Sequence, residues 1–147
     1  MSLQNLVRIN QLTEYETDAR QFGKLLESAD RFLEDARHGE VSLELRFVGV
    51  YRAINQYATL ALWANGFRTS RSTPGHHQIT IQSLVHSIDL GTDQMALLDT
   101  FRVKRNAIDY SGDEIDEGSV EACIEAATRL RSGLHDWVQE NRPELLG

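Results

Sequence analysis

Proline occurs twice in the 147-residue chain, as Pro74 and Pro143. Residues 1–73 and 75–142 therefore lack the residue that removes a helical N–H donor and clashes with the preceding turn. Long helices are open to almost the whole chain, and the spacing of apolar residues decides where they run. Leu12, Tyr15, Ala19, Phe22, Leu26, Ala29, Leu33 and Ala36 recur at alternating intervals of three and four. This predicts one long first helix with a single apolar face, ending near His38 and Gly39. Ser42 is the expected N-cap of a second helix, on which Leu43, Phe47, Val50, Ile54, Ala58 and Ala61 form one broad face. A second stripe through Val48, Tyr51, Ala58 and Leu62, with Trp63, widens that surface enough to put this helix at the centre of the fold. Asn65 and Gly66 end it.

The segment FRTSRSTPGHH has the Ser, Thr, Pro and Gly content of a long loop and carries Arg68 and Arg71. Ile79, Ile81, Leu84, Val85 and Ile88 then suit a shorter helix closed near Gly91, with a strand as the alternative for ITIQSLV. Thr92 or Asp93 is the expected cap of a helix carrying Leu97, Leu98, Phe101 and Ile108 and stopping near Ser111 and Gly112. Ser119 is the expected cap of the last, along which Val120, Cys123, Ala127, Leu130, Leu134 and Trp137 repeat the spacing until Arg142 and Pro143. The fold class that follows is all-α: an up-and-down bundle of four main helices and one short one.

Size and charge narrow the functional classes. A chain of 147 residues suits one domain spanning 1–147, with a core that needs neither disulfide nor structural metal. The lone Cys123 cannot form an internal disulfide and favours a cytoplasmic location. Fifteen basic against 22 acidic residues give a formal charge of −7, which opposes broad adhesion to nucleic acid or anionic membranes and leaves room for a local basic site. The N-terminal MSLQNLVRINQLTEYE has no signal-peptide core, and no stretch is apolar for the roughly 18 residues a membrane span needs. No membrane association is expected.

One helix breaks its own pattern. Leu98 and Arg105 are seven residues apart, about 20° from each other around a helix, with Phe101 and Ile108 on the same side. A guanidinium on an apolar stripe needs a carboxylate, a phosphate or a wet interface. In one reading Arg105 pairs with Asp109 four residues on; in the other it meets a ligand. Arg102, Lys104 and Arg105 are concentrated here, whereas residues 109–121 hold Asp109, Asp113, Glu114, Asp116, Glu117 and Glu121 without a Lys or Arg. A compact cationic spot beside an acidic loop suits a small phosphate-bearing ligand or a protein partner; a solvated helix end followed by a turn is the plainer account.

At this motif the chain resembles the HEPN family of small helical-bundle proteins, named for nucleotide binding in higher eukaryotes and prokaryotes. KLLESADRFLEDAR, FVGVYRAINQYATLAL, the Gly75–His77 turn and RNAIDY occur in the family's order, over roughly residues 20–138. The resemblance implies a four- or five-helix bundle, frequently a homodimer, with a metal-independent RNA-cleaving site made from an Arg, four intervening residues and a His. Arg105 and Asn106 match its start; Tyr110 occupies the His position. A tyrosine of ordinary pKa, about 10, is ionised in only about one molecule in a thousand at pH 7 and makes a poor base for a ribose 2′-OH. The likeness is therefore nearer to the nucleotide-binding or partner-docking branches, often linked to nucleotidyltransferases, than to the His-bearing toxins. The implied function is a nucleotide- or RNA-associated binding module with Arg105, Asn106 and Tyr110 at its site. The alternatives are a ribonuclease in which another group supplies the base, and a structural interaction bundle.

His76 and His77 are adjacent, about 100° apart on a helix, which is poor geometry for one metal. Neither they nor His38, His86 and His135 show HExxH spacing. No metal and no cofactor is expected, and His76 and His77 are read as packing the turn or lining a ligand site. GxGxxG, GxxxxGK[ST] and GxSxG are absent from the sequence. Tyr51, Tyr57 and Trp63 fit a core role better than base stacking. Asn55 interrupts the apolar stripe of the second helix, where a buried amide must find partners; it either orients Arg105 or Tyr110 across the bundle or is satisfied within the core.

Overall fold

Helix α3 (Leu43–Ala64) is the axis on which the other elements pack. Its Phe47, Val50, Ala53, Ile54, Tyr57, Ala58, Leu60 and Ala61 are fully enclosed, as the doubled apolar stripe requires. The computed structural model describes residues 2–70 and 75–147. It is an all-α bundle in which α2 (Ala19–Ala36), α6 (Thr92–Ser111) and α7 (Glu117–Asn141) surround α3. Short helices fill the ends: α1 (Leu3–Arg8), α4 (His76–Gln82), α5 (Leu84–Ser87) and a 3-10 turn, Pro143–Leu146. The main core joins α2, α3, α6 and α7 through Phe22, Leu33, Phe101, Val120, Leu130 and Leu134. ITIQSLV is helical, as α4 and α5, and the alternative of a strand there falls away.

The long first helix is corrected. Leu12–Glu14 is a strand, β1, paired antiparallel with β2 (Phe67–Thr69) in the register Leu12↔Thr69, Thr13↔Arg68 and Glu14↔Phe67. Leu12 is buried against Leu3, Leu6 and Leu62, so it has the apolar role its spacing indicated but in another backbone. The helix starts only after Asp18, whose Oδ1 accepts from Gln21 N at 2.8 Å, the capping that ends the extended segment. The loop assigned to FRTSRSTPGHH thus opens with a strand; Arg71, Ser72, Thr73 and Pro74 lie outside the described residues.

Ser42 caps α3 as expected, its Oγ accepting from Leu45 N at 3.1 Å. Two other caps shift. Gly91 precedes α6 rather than Thr92 or Asp93, and Asp116 precedes α7 rather than Ser119. Ser119 instead donates to the Asp116 carboxylate at 2.5 Å. At the other end of α6, Gly112 takes the left-handed conformation at φ 67°, a turn that L side chains resist.

Candidate functional site

The centre of α3 and the second half of α6 face each other across Phe47 and Phe101, which meet edge-on with ring centroids 6.0 Å apart. The first turn of α4 adds His77 beside residues of both helices. The result is a cavity of about 180 Å³ lined by Val48, Tyr51, Arg52, Asn55, Gln56, His77 and Arg105. It has room for several waters or a tetrahedral anion.

Several residues of its wall also carry buried polar atoms that make no hydrogen bond within the protein. Among the described residues, six buried side-chain nitrogens and oxygens lack a hydrogen bond: Tyr51 Oη, Asn55 Oδ1, Gln56 Oε1, His77 Nδ1, Arg105 Nε and Ser87 Oγ. All but Ser87 belong to residues of this cavity. Left dry, each such atom costs about 1–3 kcal/mol, so their gathering in one place marks a wet or liganded site rather than a core. Tyr51 is 3% exposed, and burial pushes its hydroxyl pKa up to about 12; it stays a neutral donor. The amides of Asn55 and Gln56 present either oxygen or NH₂ by turning over.

Arg105 supplies the charge. Its guanidinium lies 5.6 Å from the centroid of the Tyr51 ring, and its Nε is 2.9 Å from Asp109 Oδ2. The pairing of Arg105 with Asp109 expected from the sequence is therefore present. The Asp109 contact is an ion pair by distance, while the Nε–H is not aimed at the carboxylate oxygen. This pair is partly exposed, and such contacts contribute at most about 1 kcal/mol, leaving the guanidinium free to bond a ligand. Burial lowers the His77 pKa, and His76, Arg105, Arg102 and Arg52 push it the same way. A neutral imidazole at the edge of a cationic pocket is a hydrogen-bond partner with a proton to gain when an anion arrives.

The other expected site residues disperse. Arg102 binds Asp99, Nε to Oδ1 at 2.8 Å. Lys104 donates to Ser119 Oγ at 3.3 Å and borders a separate small cleft with Asp113, Glu114 and Asp116. The cationic spot proposed for Arg102, Lys104 and Arg105 is thus three cations with three different acceptors, because roughly 100° per residue turns Lys104 away from Arg105. Tyr110 is 84% exposed, and neither it nor Asn106 lines the cavity. His76 sits beside His77, ring centroids 4.3 Å apart, outside the cavity wall. Asn55 lines the same cavity as Arg105, and its Oδ1 makes no hydrogen bond within the protein.

Sequence reasoning missed Arg52 and Gln56; its assignment of Tyr51 to the core holds, with the ring buried in the main cluster while the residue also lines the cavity. The available signal was the polar run Arg52, Asn55 and Gln56 within an otherwise apolar helix. Among the described residues, no group of three or more His, Cys, Asp or Glu is placed to hold a metal ion, and no helix is long and apolar enough to cross a membrane. Comparison with protein-family models, curated proteins and solved structures returned no match.

Proposed function

We propose that this bundle is a HEPN-like nucleotide-binding module that holds a phosphate group in the cavity between α3, α4 and α6. The observation that supports it is that Tyr51, Asn55, Gln56, His77 and Arg105, each with a buried polar atom that makes no hydrogen bond within the protein, all line one cavity. Arg105 supplies the fixed positive charge, Tyr51 and a turned amide supply neutral donors, and His77 binds as a neutral donor or as a cation after proton uptake. The acidic surface implied by the −7 net charge disfavours extended RNA and favours a small ligand enclosed away from it. Titration calorimetry with inorganic phosphate and nucleoside monophosphates tests the reading. Saturable binding, weakened at least tenfold by Arg105→Ala, is expected; absence of binding by the folded wild type rejects it.

A second reading draws on His77 specifically. A neutral imidazole beside a guanidinium is the base-and-cation pair that metal-free RNA cleavage needs: the base takes the 2′-OH proton and the cation stabilises charge developing on the phosphate. Under this reading His77 replaces the histidine that Tyr110 displaces. Cleavage of RNA without metal, abolished by both His77→Gln and Arg105→Ala, would make the module a ribonuclease. A homodimer and a nucleotidyltransferase partner belong to the same HEPN-like reading. Exposed Val103 and Tyr110, seven residues apart on one side of α6, offer apolar surface for such contacts.

A further inference from the structure

A second space adjoins the cavity at Arg105 along α3. Val48 and Arg52 also line a larger chamber of about 500 Å³ between the end of α2 and the start of α3, with Phe32, Asp35, Val41 and Leu45. Leu45, Val48, Arg52 and Asn55 recur at three and four along α3, so one helix stripe floors both spaces. Ten residues at roughly 1.5 Å each make that floor about 15 Å long. The two ends differ in chemistry. One is lined by polar atoms and Arg105; the other is mostly apolar, with Val41 47% and Leu45 59% exposed at its rim.

The chamber also has the features of a flat-ring site. The Arg52 guanidinium lies 5.5 Å from the centroid of the Phe32 ring, setting a planar cation and an aromatic ring at the junction of the two spaces. Gly49 adds no side chain to the wall. Asp35 is exposed and lines the chamber, which places a carboxylate acceptor at its edge. An occupant that satisfies all of this carries an anion at one end and, at the other, a flat, largely apolar body with N–H donors on its rim. The combined space lies within the roughly 300–1,000 Å³ usual for small-molecule sites.

We infer that the chamber between α2 and α3 is the base-binding half of the site, and that the ligand is a nucleoside monophosphate with its phosphate at Arg105 and its base between Phe32, Arg52 and Leu45. This rests on the phosphate reading given above. Asp35 faces the donor edge of the base and favours guanine, whose adjacent N1–H and N2–H₂ match two carboxylate oxygens.

Calorimetric titration of the full chain with inorganic phosphate, ribose 5-phosphate, hexyl phosphate, UMP, AMP and GMP separates the two halves. GMP is expected to bind at least tenfold more tightly than ribose 5-phosphate. Leu45→Asp, on the exposed rim, should remove that increment while leaving the affinity for inorganic phosphate unchanged, and Asp35→Asn should erase the preference for GMP over UMP. Equal affinities for ribose 5-phosphate and GMP, or an increment that survives Leu45→Asp, would overturn the base site and leave the phosphate site standing. Tighter binding of hexyl phosphate than of GMP would overturn it in favour of an alkyl tail. Failure of every phosphate to bind would sink both.

Discussion

Tyr51 and Tyr57 lie six residues apart on α3, both almost fully buried, and their hydroxyls have opposite surroundings. Tyr57 Oη donates to Asp30 Oδ1 at 2.5 Å, and Arg131 clamps the same carboxylate through Nε at 2.7 Å and Nη2 at 3.0 Å. Burial raises the Asp30 pKa, but the bonds from Arg131 and Tyr57 outweigh it, and the net direction is downward. Tyr51 Oη bonds to nothing in the protein. Tyr57→Phe should therefore destabilise the fold by about 1.5–3 kcal/mol, the range for a hydrogen bond to a charged group. Tyr51→Phe should be neutral or stabilising by up to about 1 kcal/mol while weakening phosphate binding, the trade expected where a polar group is kept for a ligand. Urea unfolding of the two variants distinguishes them, and equal losses would place Tyr51 among the ordinary core residues.

His77 gives the site a pH signature. Its folded pKa is depressed, first by burial and then by His76, Arg105, Arg102 and Arg52, so the free protein holds it neutral near pH 7. A bound anion favours the protonated form, and linkage then requires affinity to rise as pH falls. Sulfate is the suitable probe because its charge is constant in this range. Sulfate affinity should increase between pH 7.5 and 5.5, by no more than about tenfold per pH unit for one proton. His77→Gln should flatten the profile; an unchanged slope would assign the proton to His76 or another group.

At the level of elements, the ends of α3 were legible from local sequence. Ser42 is followed by an apolar run, and its cap on Leu45 needs nothing distant; Asn65 and Gly66 end α3 for equally local reasons. The first helix failed because Leu12 and Tyr15 fit a helical spacing while their partners lie in Phe67–Thr69 and Gly66, more than 50 residues away in sequence. A three-residue strand has too few side chains to establish a period of two. The overlooked local signal was Asp18 followed three residues later by Gln21, the pattern of a helix start. Asp18→Ala should cost about 0.5–2 kcal/mol by removing the bond to Gln21 N. Thermal or denaturant unfolding showing no loss would mean that β1 and the core, rather than the cap, fix where α2 begins. The site was half legible for a related reason. Arg105 stood out as a cation on an apolar stripe, but His77 reaches it from another helix and Lys104 turns away, relations that spacing within one helix does not contain.

Taken whole, the molecule carries an acidic net charge around a small interior region of opposite character. The charge of −7 keeps long polyanions at a distance over much of the surface, whereas Arg52 and Arg105 line a cavity with no carboxylate among its walls. This contrast selects by size and burial more than by bulk electrostatics. The main core closes around α3 through apolar side chains, and the Tyr51 hydroxyl, Asn55 Oδ1, Gln56 Oε1 and His77 Nδ1 contribute no hydrogen bond to it among the described residues. A bundle so built can lose its site polarity and keep its fold, which makes binding and stability separable. The most direct measurement is nitrogen-15 NMR of the histidine side chains during titration with pyrophosphate. The account predicts a saturable shift of the His77 ring nitrogens, absent in Arg105→Ala, while His38 and His135 stay unmoved; an unresponsive His77, or equal shifts at all three histidines, would contradict it.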